Sequence, residues 1–173
     1  AVWRAAYDHK FDQTRRPGKR VYLQTADVRE IWTAIKTLQV RGAPAIGVAG
    51  AMGVLAAIQG SKAKTSKDLI RAVDQAGGYL ASSRPTAVNL FHAINRMKRT
   101  ARENRRRPPA ELKERLAQEA VHICEEDAAL CRAIGQHGAA LLKDGQAILT
   151  HCNAGSLATA QFGTALSPVY VAQ

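Results

Sequence analysis

Apolar residues recur at helical spacing over most of the chain between residues 28 and 139. The first stripe consists of Val28, Ile31, Ile35 and Leu38. Asp27 directly precedes this stripe, and Glu30 follows Asp27 by three residues. This is the spacing of a capping box, which marks a helix start. The pattern therefore predicts a first helix over residues 28–39.

Four further helices follow the same logic. The second is predicted to begin at Pro44, because proline is favoured in a first turn, and its Ala- and Gly-rich run to about Ile58 implies close packing. Stripes over 69–80 and 88–97 predict the third and fourth helices, separated by a break at Ser83-Arg84-Pro85. After Pro108-Pro109, one stripe from Leu112 to Ile134 predicts a long fifth helix that ends near residues 135–138.

Two stretches have strand character instead. Residues 2–24 alternate weakly, include Val21-Tyr22-Leu23, and predict two or three short strands split by a turn at Arg16-Pro17-Gly18. Residues 146–151 are a short apolar run followed at once by small residues, which predicts a buried parallel strand, a tight turn and then a helix. We therefore predict an α/β fold: short strands and a helical bundle over 1–143, and the first strand–helix unit of a parallel-sheet domain over 144–173.

Composition narrows the class of protein. With 173 residues and 46% hydrophobic content, the chain can bury one core, or one small domain plus part of a second. It has no apolar run of about 18 residues and no segment typical of a signal peptide, so we expect no membrane partner. Three cysteines without Cys-x-x-Cys spacing argue against a disulfide framework or a zinc knuckle and favour a reducing, cytoplasmic setting.

The net charge of +11 raises the question of a nucleic-acid partner, because basic surfaces attract phosphates. Much of the excess lies between Arg96 and Arg107, at the end of the fourth predicted helix, where cations complement the helix dipole. Only 5% of the residues are aromatic, and none interleaves with these arginines to stack on bases. A solvated charged surface is the favoured interpretation, and no nucleic-acid site is predicted.

Three short segments carry candidate chemistry. Cys152 is predicted to lie at the carboxyl end of a strand, the edge at which open α/β sheets bind ligands. Arg41-Gly42-Ala43-Pro44 and Arg84-Pro85-Thr86 each place an arginine and free backbone N–H groups at a helix start, an arrangement that can bind phosphate or carboxylate. From the residues alone, Cys152 could equally be a buried structural cysteine.

Other cysteine chemistry is less well supported. His151 and Cys152 are neighbours in a predicted extended segment and would point to opposite faces, which makes a Cys–His hydrolase a minor alternative. Cys124 and Cys131 lie seven positions apart on one predicted helix, where core packing is the ordinary role of a free cysteine. The five histidines have no ligand spacing, so no metal or other cofactor is predicted.

Three motifs together resemble the methylthioribose-1-phosphate isomerase family, part of the superfamily of translation initiation factor 2B alpha, beta and delta subunits. They are Val40-Arg41-Gly42-Ala43-Pro44-Ala45-Ile46-Gly47, Ser83-Arg84-Pro85-Thr86-Ala87-Val88-Asn89-Leu90 and Thr150-His151-Cys152-Asn153-Ala154-Gly155. The resemblance runs from about residue 11 to residue 166, in the family's order. It implies an aldose–ketose isomerase that converts 5-methylthioribose 1-phosphate to 5-methylthioribulose 1-phosphate in methionine salvage.

The resemblance also implies roles for individual residues. Arg41, Gly42, Ala43 and Arg84 would bind the phosphorylated pentose, and Cys152 would be the catalytic thiol, with no cofactor. Family members are expected to form homodimers. Whether hydrogen moves as a proton or as a hydride stays open.

In the family, a catalytic aspartate comes from a Rossmann-like C-terminal domain, of which residues 144–173 would be only the beginning. Asp127 is not that aspartate and is interpreted as a hydrogen-bonded structural carboxylate. We therefore expect this chain alone to be inactive. The C-terminal half of the full-length family protein is the expected partner, and a separate chain could supply it.

Two relatives of the family remain as alternatives. Ribose-1,5-bisphosphate isomerase would use the same cysteine on another sugar, whereas regulatory subunits of the initiation factor 2B type are non-catalytic assembly modules that typically lack the cysteine. The pairing of Arg-Gly-Ala-Pro-Ala-Ile-Gly with Cys-Asn-Ala-Gly favours the methylthioribose enzyme.

Overall fold

The computed structural model describes residues 12–19 and 21–173. These residues form six α-helices and two short 3₁₀ helices, Gln13–Arg15 and Ser156–Ala158. The α-helices are α1 Val28–Lys36, α2 Ala43–Gln59, α3 Ser66–Ala81, α4 Val88–Glu103, α5 Pro109–Ala139 and α6 Ser167–Ala172. All five predicted helices are therefore confirmed, with bounds within a few residues except that α4 continues to Glu103.

Helix α2 is the centre of the bundle, with α1, α3, α4 and α5 packed around it. It is buried almost continuously from Ala45 to Leu55, as expected for a helix that is apolar on all sides. Its glycines allow the close approach: a Cβ on Gly50 would lie 2.5 Å from Leu90 Cδ1, and one on Gly53 would lie 2.9 Å from Leu80 Cδ1. The close packing predicted from the Ala and Gly content of this helix is confirmed.

Residues 154–172 pack along the second half of α5. Asp127 accepts a hydrogen bond from the Ala160 N–H at 2.6 Å, and Ser167 Oγ donates to the Cys131 carbonyl at 2.6 Å. A Cβ on Gly138 would lie 2.4 Å from Pro168, so glycine lets the short helix α6 lie directly on α5. Pro168 occupies the first turn of α6, the position at which proline is tolerated in a helix.

The strand predicted at 146–151 does not form within the described residues. Residues 146–153 form neither helix nor strand, and Leu149 is 99% exposed. Only the three-residue 3₁₀ helix Ser156–Ala158 follows Cys152 in place of the predicted helix. A parallel strand needs neighbours to bond its N–H and C=O groups, and no β-strand is present within 12–19 and 21–173.

The short strands predicted within 2–24 are only partly testable, because 1–11 and 20 lie outside the described residues. In the described part, Gln13–Arg15 is a 3₁₀ turn and no strand forms over 21–24. Asp12 anchors this turn: it is buried and accepts hydrogen bonds from the Thr14 N–H and hydroxyl, while its own N–H donates to the Val21 carbonyl at 2.8 Å. What the structure shows is therefore a mainly helical architecture.

Several arginines of the basic segment bind carboxylates on neighbouring helices. Arg102 lies 3.0 Å from Asp74, and Arg96 bridges Glu119 and Glu126 between α4 and α5. Arg96 thereby holds the pKa of Glu126 below its usual range. This part of the net charge stabilises contacts between helices. No helix in the described ranges is both long and apolar enough to cross a bilayer.

Candidate functional site

The starts of α2 and α4, near Arg41 and Arg84, differ from those of α1 and α3 and, like the start of α5, have no side-chain cap. Asp27 and Thr65 cap α1 and α3 with side-chain oxygens, each accepting a backbone N–H. Gly42 and Ala87, at the starts of α2 and α4, provide no side-chain cap. Pro44 has no N–H and the Leu90 N–H donates to the Ala87 carbonyl, so Ala43 in α2 and Val88 and Asn89 in α4 have the N–H groups that can donate to an anion.

These two helix starts lie side by side. A Cβ on Gly47, in the first turns of α2, would lie 3.0 Å from the carbonyl oxygen of Asn89, in the first turn of α4. Arg41 precedes α2 by two residues, and Arg84 lies three residues before Ala87. Each arginine thus belongs to one of two adjoining, uncapped helix starts, and together they suit a phosphate or carboxylate.

The turn after Cys152 lies directly on the Arg41–Gly42 loop. Gly42 has a φ of 98°, and a Cβ there would lie 2.5 Å from both Cα and Cβ of Ala158. An antiparallel backbone bridge between Gly155 and Gly163 closes this turn on itself. Three separate segments of the sequence, around residues 42, 89 and 158, therefore meet near the N-terminal end of α2.

Gln13 is the residue of this assembly that the sequence analysis missed. Its Nε2 donates to the Leu157 carbonyl at 2.7 Å and to the Arg41 carbonyl at 3.3 Å, and its Oε1 accepts from Arg41 Nε at 3.0 Å. The family resemblance begins at about residue 11, but it assigns Gln13 no role. No local signal gives Gln13 a role, because its partners are 28 and 144 residues away.

Cys152 lies in the exposed segment that leads into this turn. It is exposed, with a φ of 67°, whereas Cys124 is half-buried and Cys131 is fully buried. Burial raises the pKa of the Cys131 thiol, which keeps that cysteine protonated. Cys152 is thus the accessible thiol of the three, and its turn touches the Arg41 loop through Ala158 and Leu157.

Asp127 accepts a hydrogen bond from the N–H of Ala160, within the turn that the Gly155–Gly163 bridge closes, which bears out its interpretation as a hydrogen-bonded carboxylate. A cleft of about 520 Å³ lies between residues 22–25 and α1, and none of the predicted site residues lines it. No cluster of three or more metal-ligating side chains occurs in the part of the chain that the structure describes.

Comparison with known proteins identifies relatives over nearly the full chain. Residues 39–172 match the model of the initiation factor 2 subunit family. The chain is 50% identical to the 5-deoxyribose 1-phosphate isomerase of Moorella thermoacetica, over 97% of this chain and 48% of that protein. It is also 50% identical to the methylthioribose-1-phosphate isomerase of Geobacter sulfurreducens, over 98% of this chain and 49% of that protein. The chain thus spans about half the length of the curated relatives it matches.

Two solved structures share the fold. The 5-methylthioribose 1-phosphate isomerase of Pyrococcus horikoshii has a TM-score of 0.87 at 42% identity, over 93% of this chain and 45% of that structure. The delta subunit of translation initiation factor eIF-2B from A. fulgidus has a TM-score of 0.84, also at 42% identity, over 94% and 47% of the two chains. The helical architecture is therefore common to an isomerase and to a protein named as a translation factor.

Proposed function

This chain belongs to the initiation factor 2 subunit family, and on that premise we propose that it forms the phosphate-binding part of a sugar-phosphate aldose–ketose isomerase. The substrate of the proposal is 5-methylthioribose 1-phosphate and the product is 5-methylthioribulose 1-phosphate. The observation that carries it is the pairing of two uncapped helix starts, each with an arginine, beside the turn that follows the accessible Cys152.

In this proposal the two helix starts hold the phosphate. The N–H groups at Ala43 and at the start of α4 donate to its oxygens, and Arg41 and Arg84 supply positive charge. Gly42 lets the loop adopt its left-handed conformation against Ala158. Holding the phosphate fixes the sugar relative to the segment that carries Cys152.

The chemistry requires groups on both sides of the sugar. The phosphate is on the anomeric oxygen, so the ring must open while the phosphate stays attached. The bond between C1 and the ring oxygen breaks, the ring oxygen gains a proton, one hydrogen moves from C2 to C1, and the C2 hydroxyl becomes a ketone. A thiol at Cys152 and a carboxylate on the opposite side can transfer these protons.

The opposing carboxylate is proposed to lie outside these 173 residues. We infer that residues 144–173 begin a Rossmann-like domain whose further strands pair with the apolar segment at 146–151 and bring the carboxylate to the sugar. The relatives' greater length supports this inference, as does the exposure of Ile148 and Leu149. A homodimer in a reducing cytoplasm belongs to the same proposal.

The alternatives differ in substrate or in catalysis. The Moorella relative is named for 5-deoxyribose 1-phosphate, which shares the anomeric phosphate and also carries no phosphate at C5. Ribose 1,5-bisphosphate would bring a second dianion to the site and needs a further cationic group. A non-catalytic subunit, the alternative suggested by the A. fulgidus protein, has no need of a reactive thiol.

Turnover of these three sugars by the full-length protein distinguishes the possibilities. We expect conversion of 5-methylthioribose 1-phosphate and 5-deoxyribose 1-phosphate to ketoses that retain the phosphate. The kcat/KM for ribose 1,5-bisphosphate should be at least about tenfold lower, since a charged group left without a partner costs about 1–3 kcal/mol or more. Nuclear magnetic resonance of the products measures turnover of each sugar.

The 173-residue chain alone should show no turnover, and addition of the C-terminal half of the Moorella relative should restore turnover. Absence of turnover by a folded full-length protein on all three sugars would support the non-catalytic alternative.

A further inference from the structure

We propose that Gln13 is a positioning residue that orients the Arg41 guanidinium toward the substrate phosphate and ties it to the turn after Cys152. The proposal rests on the proposed function, because it assigns Arg41 to a bound sugar phosphate. It adds a residue from a segment that lies outside the three motifs.

The first argument is the set of hydrogen bonds made by one amide. Gln13 Oε1 accepts from Arg41 Nε at 3.0 Å, and Nε2 donates to the carbonyls of Leu157 at 2.7 Å and Arg41 at 3.3 Å. Both ends of the amide are therefore used, which requires a side chain that both donates and accepts. The same amide contacts the loop that carries Arg41 and the turn that follows Cys152.

The second argument is that Gln13 is itself held in place. Its backbone N–H donates to the Gln39 carbonyl at 2.9 Å, two residues before Arg41. The preceding residue, Asp12, is 3% exposed and caps the 3₁₀ turn by accepting the Thr14 N–H at 3.0 Å. The amide is thus presented from an anchored backbone, and a fixed side chain can fix its partner.

The third argument concerns which part of Arg41 is used. The bond to Gln13 involves Nε and leaves the two terminal nitrogens of the guanidinium. No carboxylate in the described residues forms an ion pair with Arg41, although the side chain is exposed. Gln13 therefore orients the charge without neutralising it, and an anion bound there meets an arginine whose rotamer is already restricted.

The test is a double-mutant cycle between Gln13 and Arg41 in the full-length protein. Binding is measured by calorimetry in a Cys152→Ser background, so that the sugar phosphate is not consumed. We expect Gln13→Leu to raise the Kd of 5-methylthioribose 1-phosphate about tenfold and that of unphosphorylated 5-methylthioribose less than twofold. In an Arg41→Ala background the same change should raise the Kd of the phosphorylated sugar less than twofold, because its partner is gone.

Two further variants guard against a purely structural effect. Gln13→Glu keeps an acceptor for Arg41 Nε, loses both donors and places a negative charge beside the phosphate, so it should weaken binding of the phosphorylated sugar more than Gln13→Leu does. Gln118→Leu removes an exposed glutamine whose partners among the described residues are Arg115 and Glu114 on α5, and it should leave the Kd unchanged. Circular dichroism establishes that each variant is folded.

The outcomes separate this inference from the proposed function. Normal binding of the sugar phosphate together with additive effects of Gln13→Leu and Arg41→Ala would overturn the positioning role alone. Equal losses for the phosphorylated and unphosphorylated sugars would also overturn it. If the folded protein with native Gln13 and Arg41 binds no sugar phosphate, both the proposed function and this inference fail.

Discussion

Replacement of Cys152 by serine is expected to lower kcat by several orders of magnitude in the full-length protein while leaving the fold and the substrate Kd nearly unchanged. A thiol is a far stronger acid than a serine hydroxyl and therefore transfers a proton more readily. Cys152 is exposed and outside the core, so the substitution removes no buried contact. Steady-state kinetics and calorimetry give the two quantities.

Cys124→Ser is the matched control for this prediction. Cys124 is half-buried on α5 and packs against the hydrophobic core, and its replacement should leave kcat within about twofold. Cys131→Ser is expected to cost stability, because Cys131 is fully buried, but to leave turnover largely intact. Near-normal kcat in Cys152→Ser would remove the thiol from the mechanism and make Cys152 a structural residue.

Gly42→Ala should have the second largest effect, on both stability and turnover. The φ of 98° is strained for any residue with a Cβ, and that Cβ would lie 2.5 Å from Cα of Ala158. The loop or the turn must then move, at a cost on the order of 1–3 kcal/mol in the free energy of unfolding. Because a displacement of about 1 Å can lower a rate about 100-fold, we expect kcat/KM to fall on that scale.

Gly60→Ala separates this effect from the loss of a glycine in general. Gly60 has a φ of −75° at the end of α2, and no atom lies within 4 Å of a Cβ built there. Its replacement should change the free energy of unfolding by less than about 1 kcal/mol and leave kcat/KM unaltered. Chemical denaturation and kinetics on both variants make the comparison. Equal behaviour of the two variants would show that the contact between Gly42 and Ala158 does not matter.

The helices could be predicted because their signals are local. Stripes of apolar residues, the cap at Asp27 and prolines at helix starts lie within a few positions of the elements they specify. Two helix ends differ from the prediction: α4 continues to Glu103, and α1 stops at Lys36 rather than at residue 39. Leu38 continues the apolar stripe but has a φ of 64°, so the chain leaves the helix before it.

The strand at 146–151 could not be decided from its own residues. An apolar run indicates that the segment is suited to burial, but a strand forms only where neighbouring strands bond to its backbone N–H and C=O groups. The described residues supply no such neighbours, and the segment is exposed. The Rossmann-like domain, with residues 144–173 as its beginning, therefore stays a proposal.

The candidate site was predictable in part. The motifs around Arg41, Arg84 and Cys152 are visible in the sequence because each contains an unusual group of residues at a helix start or turn. The roles of those residues remain predictions, but their segments adjoin in the structure. Gln13 could not be found this way, since only the folded chain brings its amide to Arg41 and Leu157.

The central claim is that Cys152 and the two arginine-bearing helix starts surround one bound sugar phosphate. The most direct test is the rate at which iodoacetamide alkylates Cys152 in the full-length protein, followed by peptide mass spectrometry, with and without saturating 5-methylthioribose 1-phosphate. We predict that the ligand slows alkylation of Cys152 at least about tenfold, leaves Cys124 unaffected, and loses this protection at the same concentration in Arg84→Ala, where a charge-assisted bond worth about 1.5–3 kcal/mol is missing. An unchanged rate at Cys152 in the presence of saturating ligand would contradict the account.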